Sequence, residues 1–420
     1  MIGAWRSVVR RLLNAWLFRL TQPGRFLLGA LALAWTWGAT TLSIPVYHFL
    51  CGLAMVFAAA LTAKLLFRPR LLVSGHLPDT ASAGQTVSAA FTVHNASRRP
   101  VYDVGVGFFA LPRSLREVDG ERTLLQVAPA ETAALPLKLH PLRRRLYPLP
   151  ELHVFSTFPF NLWRTAAARA NTHSLLVLPS FQPLAGIDLL TGLRYQPGGV
   201  ALTSDLGESP EYIGNREYQP GDAIRWIDFR SWARLAKPVV RECHEEYYCR
   251  IALVLDTFVD PGRKARPEGF PELEATVSLT AAVADALARG EYLIDLFAAG
   301  PDLYVFRAGR SIAHFDNILE VLACVDECHA SPFETLAPAL ADELTNITAV
   351  VFVLLDWDKS REQFVRLALE QGSSAKVVVV RDGETTAPFD EVEDWAGPVS
   401  VFSPADLRDG RGESLGALGG

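Results

Sequence analysis

The chain has 420 residues, half of them apolar and a fifth charged, which excludes a wholly disordered protein and leaves room for two or three domains. Its net charge of −6 is uneven: residues 1–78 hold eight basic and no acidic side chains, so the remainder carries −14, which excludes nucleic acid as a partner on bulk charge. Five thinly spread cysteines (Cys51, Cys243, Cys249, Cys324 and Cys328) imply no disulfide framework and fit a reducing compartment.

Residues 1–25 form a basic N-terminus. Trp5, Val8, Val9, Leu12, Leu13, Trp16 and Leu20 recur at helical intervals, with Arg6 and Arg10 off that stripe. Such a segment either lies along an anionic leaflet or frays. Thirty-eight residues without a formal charge follow, between Arg25 and Lys64. One span needs about 20 apolar residues. The stretch therefore predicts two transmembrane helices within 26–66, near 26–43 and 47–66, broken at Pro45. Basic residues flank the outer ends and none lies in the turn. The positive-inside rule then predicts a multi-pass protein of the inner (cytoplasmic) membrane with its soluble domains in the cytoplasm. No small-residue cleavage site for a signal peptide is expected.

Residues 71–180 change period. TVSAAFTVHN, VYDVGVGFFA, TAALPLKLH and SLLVLP are short apolar runs, several of them alternating, between Gly, Pro, Asn and Ser. This predicts a β-sandwich. RRRLYPLPEL reads as a solvated or lipid-facing basic turn, and FSTFPFNLWR as a plug at the domain edge.

Residues 248–405 alternate apolar runs with amphipathic stretches. IALVLD, YLIDLFAAG, TAVVFVLLDWD, AKVVVVRD and PVSVFS predict strands, and PELEATVSLTAAVADALARG and KSREQFVRLALEQG are among the helices between them. This is a C-terminal α/β domain with a mainly parallel sheet covered on both faces. Ligands bind such sheets at the carboxyl ends of their strands, where Asp256 and Asp356 fall. Cys324 and Cys328, next to His329, read as core thiols. Residues 406–420, rich in glycine, read as a flexible tail.

The α/β pattern resembles a von Willebrand A-type domain, in which D-x-S-x-S, a Thr loop and a later Asp hold Mg2+. Here Asp256 opens the pattern, Phe258 and Asp260 take the serine positions, Asp356 matches the later Asp, and Thr335 is the nearest Thr. The resemblance implies Asp256, Asp260 and Asp356 as metal ligands for Mg2+. A strand-end Asp also serves as a cap for the next turn or helix.

Between the two domains, within a junction at 181–247, residues 216–234 read REYQPGDAIRWIDFRSWAR, with seven charges and four aromatics. Pro220-Gly221 predicts a turn, and Asp222 the cap of a helix over AIRWIDFRSWARL. Arg216, Glu217, Tyr218, Asp222, Arg225, Asp228, Arg230 and Arg234 suit a network of forked and stacked contacts that either braces the two domains or engages a partner. Asp228, Arg225 and His244 include no nucleophile with its base.

GNREYQPGDAIRWIDFRSWAR, residues 214–234, closely resembles the signature of the domain-of-unknown-function 58 family, with Phe229 in place of a usual Trp. F-P-F-N-L-W stands where that family often has D-P-F-G-L. The resemblance implies a bacterial or archaeal membrane-anchored adaptor or assembly factor. It also implies two partners besides the lipid bilayer, a MoxR-type AAA+ ATPase and other von Willebrand A-type proteins. No catalytic residue follows from it. The alternatives are a metal-dependent hydrolase built on the strand-end aspartates and a purely structural envelope protein.

Overall fold

The computed structural model describes residues 19–41, 44–67, 69–108, 111–118, 123–185, 187, 212–220, 222, 224–243, 250–290, 292–299, 303–307, 313–329, 333–344, 347–389 and 392–410. Most of the basic N-terminus, His244 and the last ten residues of the predicted tail lie outside them.

Two helices come first, α1 (Gln22–Thr41) and α2 (Ile44–Leu66). They form a hairpin in which the Tyr47 hydroxyl donates to the Gly38 carbonyl at 3.0 Å. Phe26, Leu33, Trp35, Trp37, Phe49 and Met55 face outward. Of the described helices, α2 is the one long and apolar enough to cross a membrane. The expected pair of spans is thus matched by one. Arg25, two tryptophans and three threonines dilute the apolar character of α1.

A β-rich region follows, with β1 (Leu71–Ser74), β2 (Thr80–Ser82), β3 (Val87–Asn95), β4 (Val101–Phe108), β5 (Leu115–Val118), β6 (Thr123–Val127), β7 (Thr132–Pro141), β8 (Arg145–Tyr147), β9 (Leu152–Ser156), β10 (Thr165–Ala170) and β11 (Leu175–Leu178). Two antiparallel sheets, ordered β1-β3-β7-β5 and β10-β9-β4-β6, share one core. Along β3, Ala89, Phe91 and Val93 are buried while Ser88, Ala90 and Thr92 are exposed, the period of two that the sequence carries. β11 pairs with β2 and β8 in a smaller sheet.

The signature region is a hairpin of β12 (Tyr212–Glu217) and β13 (Val239–Cys243), with α3 (Phe229–Leu235) between its strands. The C-terminal region contains β14 (Arg250–Leu255), α4 (Pro271–Arg289), β15 (Leu293–Ala299), β16 (Leu303–Arg307), α5 (Ala313–Cys324), α6 (Phe333–Ala341), β17 (Ala349–Leu354), α7 (Lys359–Glu370), β18 (Ser374–Val380), α8 (Glu393–Ala396), β19 (Ser400–Phe402) and α9 (Pro404–Arg408). Its sheet runs β16-β15-β14-β17-β18-β19, parallel except at the β16 edge.

Both faces of this sheet are covered, which is why its central strands are apolar throughout. Ile251, Leu253 and Leu255 pack on the α4 side, and Ala252 and Val254 on the α6 and α7 side. On α4, Leu273, Val277, Val283 and Leu287 are fully buried. Each such side chain stabilises the fold by about 2 kcal/mol relative to exposure. α9 is opened by a capping box between Ser403 and Asp406 and runs to Arg408, past residue 406, where the tail was expected to begin.

The β-rich region is joined to the C-terminal region by the three arginines expected to be a solvated turn. Arg143 pairs with Glu274 at 3.1 Å and Glu327 at 2.7 Å, and Arg145 with Asp326 at 3.2 Å. Arg144, 2% exposed, donates to the Leu322 carbonyl at 2.7 Å and also to that of Val325, at the C-terminus of α5. Burial lowers its pKa, and Glu274 opposes that effect from 3.2 Å. A guanidinium there satisfies carbonyls that the helix leaves unpaired and meets the negative end of its dipole.

Candidate functional site

Two places bear on function: the carboxyl ends of β14 and β17, and the signature hairpin. Asp256 follows β14 and is fully buried. Its Oδ1 accepts from the Phe258 amide at 2.9 Å, and its Oδ2 from the Leu355 amide at 2.9 Å. Arg361, on the first turn of α7, is 2% exposed and reaches the same Oδ2 through Nε at 2.8 Å and Nη2 at 2.7 Å. Arg361 also pairs with Asp358, which caps α7 by accepting its amide at 2.9 Å. The rings of Phe258 and Phe333 lie 5.6 and 5.1 Å from the guanidinium carbon. Burial disfavours this charge, but Asp256, Asp358 and Asp356 together raise its pKa.

These residues do not fit a metal. The Arg361 guanidinium already pairs with Asp256, and both oxygens of Asp256 are engaged. Phe258, which stands where the ion-binding pattern has a hydroxyl, gives its ring face to Arg361 instead. Asp260 is exposed on a turn. Asp356 accepts from the Trp357 and Thr386 amides at 2.8 and 2.9 Å and from the Thr386 hydroxyl at 2.5 Å, and it pairs with Arg381. Burial works against ionisation of Asp356, yet those donors hold its pKa below the usual value. Thr335 lies within α6. Among the described residues no group of three His, Cys, Asp or Glu side chains is arranged to hold a metal ion. The expected ligand set of Asp256, Asp260 and Asp356 is therefore corrected to two carboxylates held by arginines and a third on the surface.

Cys324 is exposed and Cys328 half-buried, so they are not the core thiols the spacing suggested. The backbone of Cys328 instead bridges to Phe258, and His329 Nδ1 lies 2.9 Å from the Val259 carbonyl. Cavities of about 400 and 490 Å³ lie near the start of α4. Arg263, Arg266, Glu274 and Arg408 are among their lining residues, and Asp256 and Asp356 are not.

Sequence reasoning missed Arg361. A signal was present: a cation three residues into a helix opposes the macrodipole, so an arginine at that place in D-W-D-K-S-R calls for a carboxylate partner.

The hairpin is built differently. Arg216 grips Asp222 through two parallel contacts of 2.7 and 2.8 Å, and Asp222 also accepts from the Gln219 amide at 2.8 Å. The predicted helix over AIRWIDFRSWARL is divided. Ile224–Trp226 make a 3-10 turn, Ile227 bridges to Val240, and the helix starts only at Phe229. Its cap is Asp228, not Asp222. Asp228 accepts from the Arg230 and Ser231 amides, from the Ser231 hydroxyl at 2.7 Å and from Asn215 at 3.2 Å. These bonds, the Ser231 hydroxyl first, lower its pKa to about 2. Glu217 pairs with Lys237 at 2.7 Å, and the Tyr218 amide donates to the Pro238 carbonyl. Each of these contacts closes within the hairpin.

Its outer surface is apolar and cationic. Ile224 is 71% exposed, Phe229 63%, Leu235 52% and Trp232 38%. Phe229 and Trp232 stack with centroids 6.0 Å apart, and Arg225, Arg230 and Arg234 are exposed among them.

The family model described as "Protein of unknown function DUF58" matches residues 214–390, which take in the hairpin, the strand-end aspartates and Arg361. Residues 214–390 are similar to that family, over less than half of the chain. The DUF58 segment thus begins inside β12 and ends after β18. No curated protein matches the chain. Solved structures similar to parts of it include the CARDB domain of a Pyrococcus furiosus protein (14% identity, 26% of this chain, 95% of that chain, TM-score 0.19). A protein of unknown function from Porphyromonas gingivalis matches at 21% identity over 26% of this chain and 47% of that one, with a TM-score of 0.18. The secreted serine protease VesC from Vibrio cholerae matches at 11% identity over 26% and 24%, also at 0.18.

Proposed function

We propose that this chain is a membrane-anchored, cytoplasm-facing adaptor whose DUF58 hairpin docks a protein partner. The observation that carries the reading is the surface of that hairpin. Four large apolar side chains stand exposed among three arginines, while the carboxylates beside them are used internally. Aromatic and arginine side chains are the usual anchors of protein interfaces. The partner expected from the family resemblance is a MoxR-type AAA+ ATPase, and other von Willebrand A-type proteins are expected beside it. An acidic rim around an apolar pocket is the complementary chemistry.

In this reading α1 accompanies α2 in the bilayer as a hairpin, supported by the apolar side chains exposed along both helices and the basic residues at their outer ends. The C-terminal sheet then serves as a von Willebrand A-like scaffold, with Arg361 in place of an ion. The metal-dependent hydrolase is less favoured, because arginines pair with two of its three carboxylates, Asp256 and Asp356. A purely structural envelope protein would give the same complexes with or without the ATPase.

The test is recovery of the ATPase from native membranes with the wild-type chain, with Phe229→Ala/Trp232→Ala and with Arg225→Glu/Arg234→Glu. Loss of the ATPase from variants with unchanged circular dichroism is expected. Full recovery with both would reject the hairpin as the contact surface.

A further inference from the structure

We propose that the foot of the helical hairpin, together with the loop from Phe158 to Arg164, forms a binding site for the headgroup of an anionic phospholipid. The proposal rests on the membrane reading above and adds a ligand to it. The FPFNLWR loop, expected to plug a domain edge, is joined to the start of α1 by backbone contacts. Leu20 and Trp163 form an antiparallel bridge, the Thr21 amide donates to Leu162 at 3.2 Å, and the Arg164 amide donates to Arg19 at 2.8 Å. The Thr21 hydroxyl donates to the Asn161 carbonyl. At Gly24 a Cβ would lie 2.2 Å from the Leu162 carbonyl oxygen, so only glycine permits this approach. Leu20, Ala60, Leu162 and Trp163 bury one another in a small core of their own.

This seam gathers cations from three parts of the chain. Arg19 and Arg25 are exposed on the α1 side. The Lys64 ammonium, in the last turn of α2, sits 4.5 Å from the centroid of the Trp163 ring. The Arg164 guanidinium lies 5.1 Å from the Phe155 ring. The close approach of Gly24 to Leu162 brings Arg25 to the same seam, and burial first, then the charge of Arg25, lower the pKa of Arg164. Glu117 faces Arg164, and burial pushes its own pKa up to about 7. An anion at this seam meets the cationic side chains of Arg19, Arg25, Lys64 and Arg164.

The position selects a lipid over a soluble anion. Lys64 lies two residues before the end of the most apolar helix, beside a tryptophan, where the headgroups of a bilayer would lie. A phosphodiester headgroup offers one negative charge and several acceptor oxygens to arginine forks at that level.

The experiment uses the full chain in nanodiscs of phosphatidylcholine alone or with a quarter phosphatidylglycerol. Phosphatidylglycerol is expected to raise the thermal midpoint by several degrees and to stay bound to the extracted protein in native mass spectrometry. Arg25→Gln/Arg164→Gln should lose both effects. Arg164→Lys, which keeps the charge, and Lys264→Gln/Lys359→Gln, in the C-terminal region, should keep them. Equal midpoints in the two bilayers for the wild type would overturn the proposal, whatever the variants do. So would an equal gain from millimolar inorganic phosphate in phosphatidylcholine, which would make this a free-phosphate site. A chain that enters neither bilayer would instead sink the membrane reading, a distinguishable result.

Discussion

Two arginine-bearing segments of this molecule have opposite fates. Residues 143–145 lead from the turn after β7 into β8 and are drawn into the joint with the C-terminal region, where Arg144 is 2% exposed. In the segment 216–234, which mixes charges with aromatics, Asp222 pairs with Arg216 and Glu217 with Lys237 inside the hairpin, while Phe229 and Trp232 turn outward. A run of charges therefore does not announce its own burial. What decides is whether carbonyls and carboxylates of another element stand opposite. The C-terminus of α5, with Glu274 and Glu327 nearby, supplies them to the first segment. In the second, Asp222 and Asp228 are only a few residues from their partners and are met first.

The contrast can be broken by mutation. At the strand ends, where burial is most complete, Asp256→Ala removes the buried partner of Arg361 and leaves it only the half-exposed Asp358. Its expected cost is roughly 3–5 kcal/mol, measured by urea denaturation. Arg144→Met strips the α5 carbonyls of their donor, leaves Glu274 with Arg143 alone, and should cost roughly 3 kcal/mol. It should also separate the unfolding of the β-rich region from that of the C-terminal region, and a single unchanged transition would contradict the assigned joint.

Glu117 sharpens the comparison from outside both segments. Its folded pKa of about 7 exceeds the ordinary 4.5, so the folded state holds the proton longer. Below pH 4.5 the group costs nothing. Stability should then fall as pH rises from 4.5 to 7, by up to about 3 kcal/mol. Glu117→Gln should flatten that slope in thermal melts taken across the window.

The smallest stability effects belong to the exposed hairpin. Phe229→Ala/Trp232→Ala and Arg225→Glu/Arg234→Glu should each shift global stability by about 0.5 kcal/mol or less, while abolishing recovery of the ATPase. A destabilisation as large as that of Arg144→Met would mean that the hairpin is a brace after all. Acid should not loosen it above pH 4, because the Asp228 cap, with its pKa lowered to about 2, is lost only as pH falls from its ordinary 3.8 through that value. Hydrogen exchange of the α3 amides tests this.

Much of the fold was legible in the residues. Period-two alternation marked the strands of the β-rich region, and apolar runs ending in Asp marked β14 and β17, because side-chain spacing follows from backbone geometry alone. The charge-free stretch marked the helical hairpin, and the signature at 214–234 marked the family. The site was less legible. The aspartates were found, but their partner was not, since Arg361 is 105 residues from Asp256. Asp222 looked like a cap because it follows a turn, and only the Ile227–Val240 bridge moved the helix start to Asp228.

By itself the sequence determined local matters: which runs are strands, which helices are apolar, and where carboxylates close the sheet. Each depends on neighbours within a few residues. Tertiary structure decided which charges meet. It set Arg361 against Asp256, Arg144 against the end of α5, and left Phe229 and Trp232 to solvent. Those outcomes depend on which desolvated groups face one another across packed elements, and spacing along the chain does not encode that.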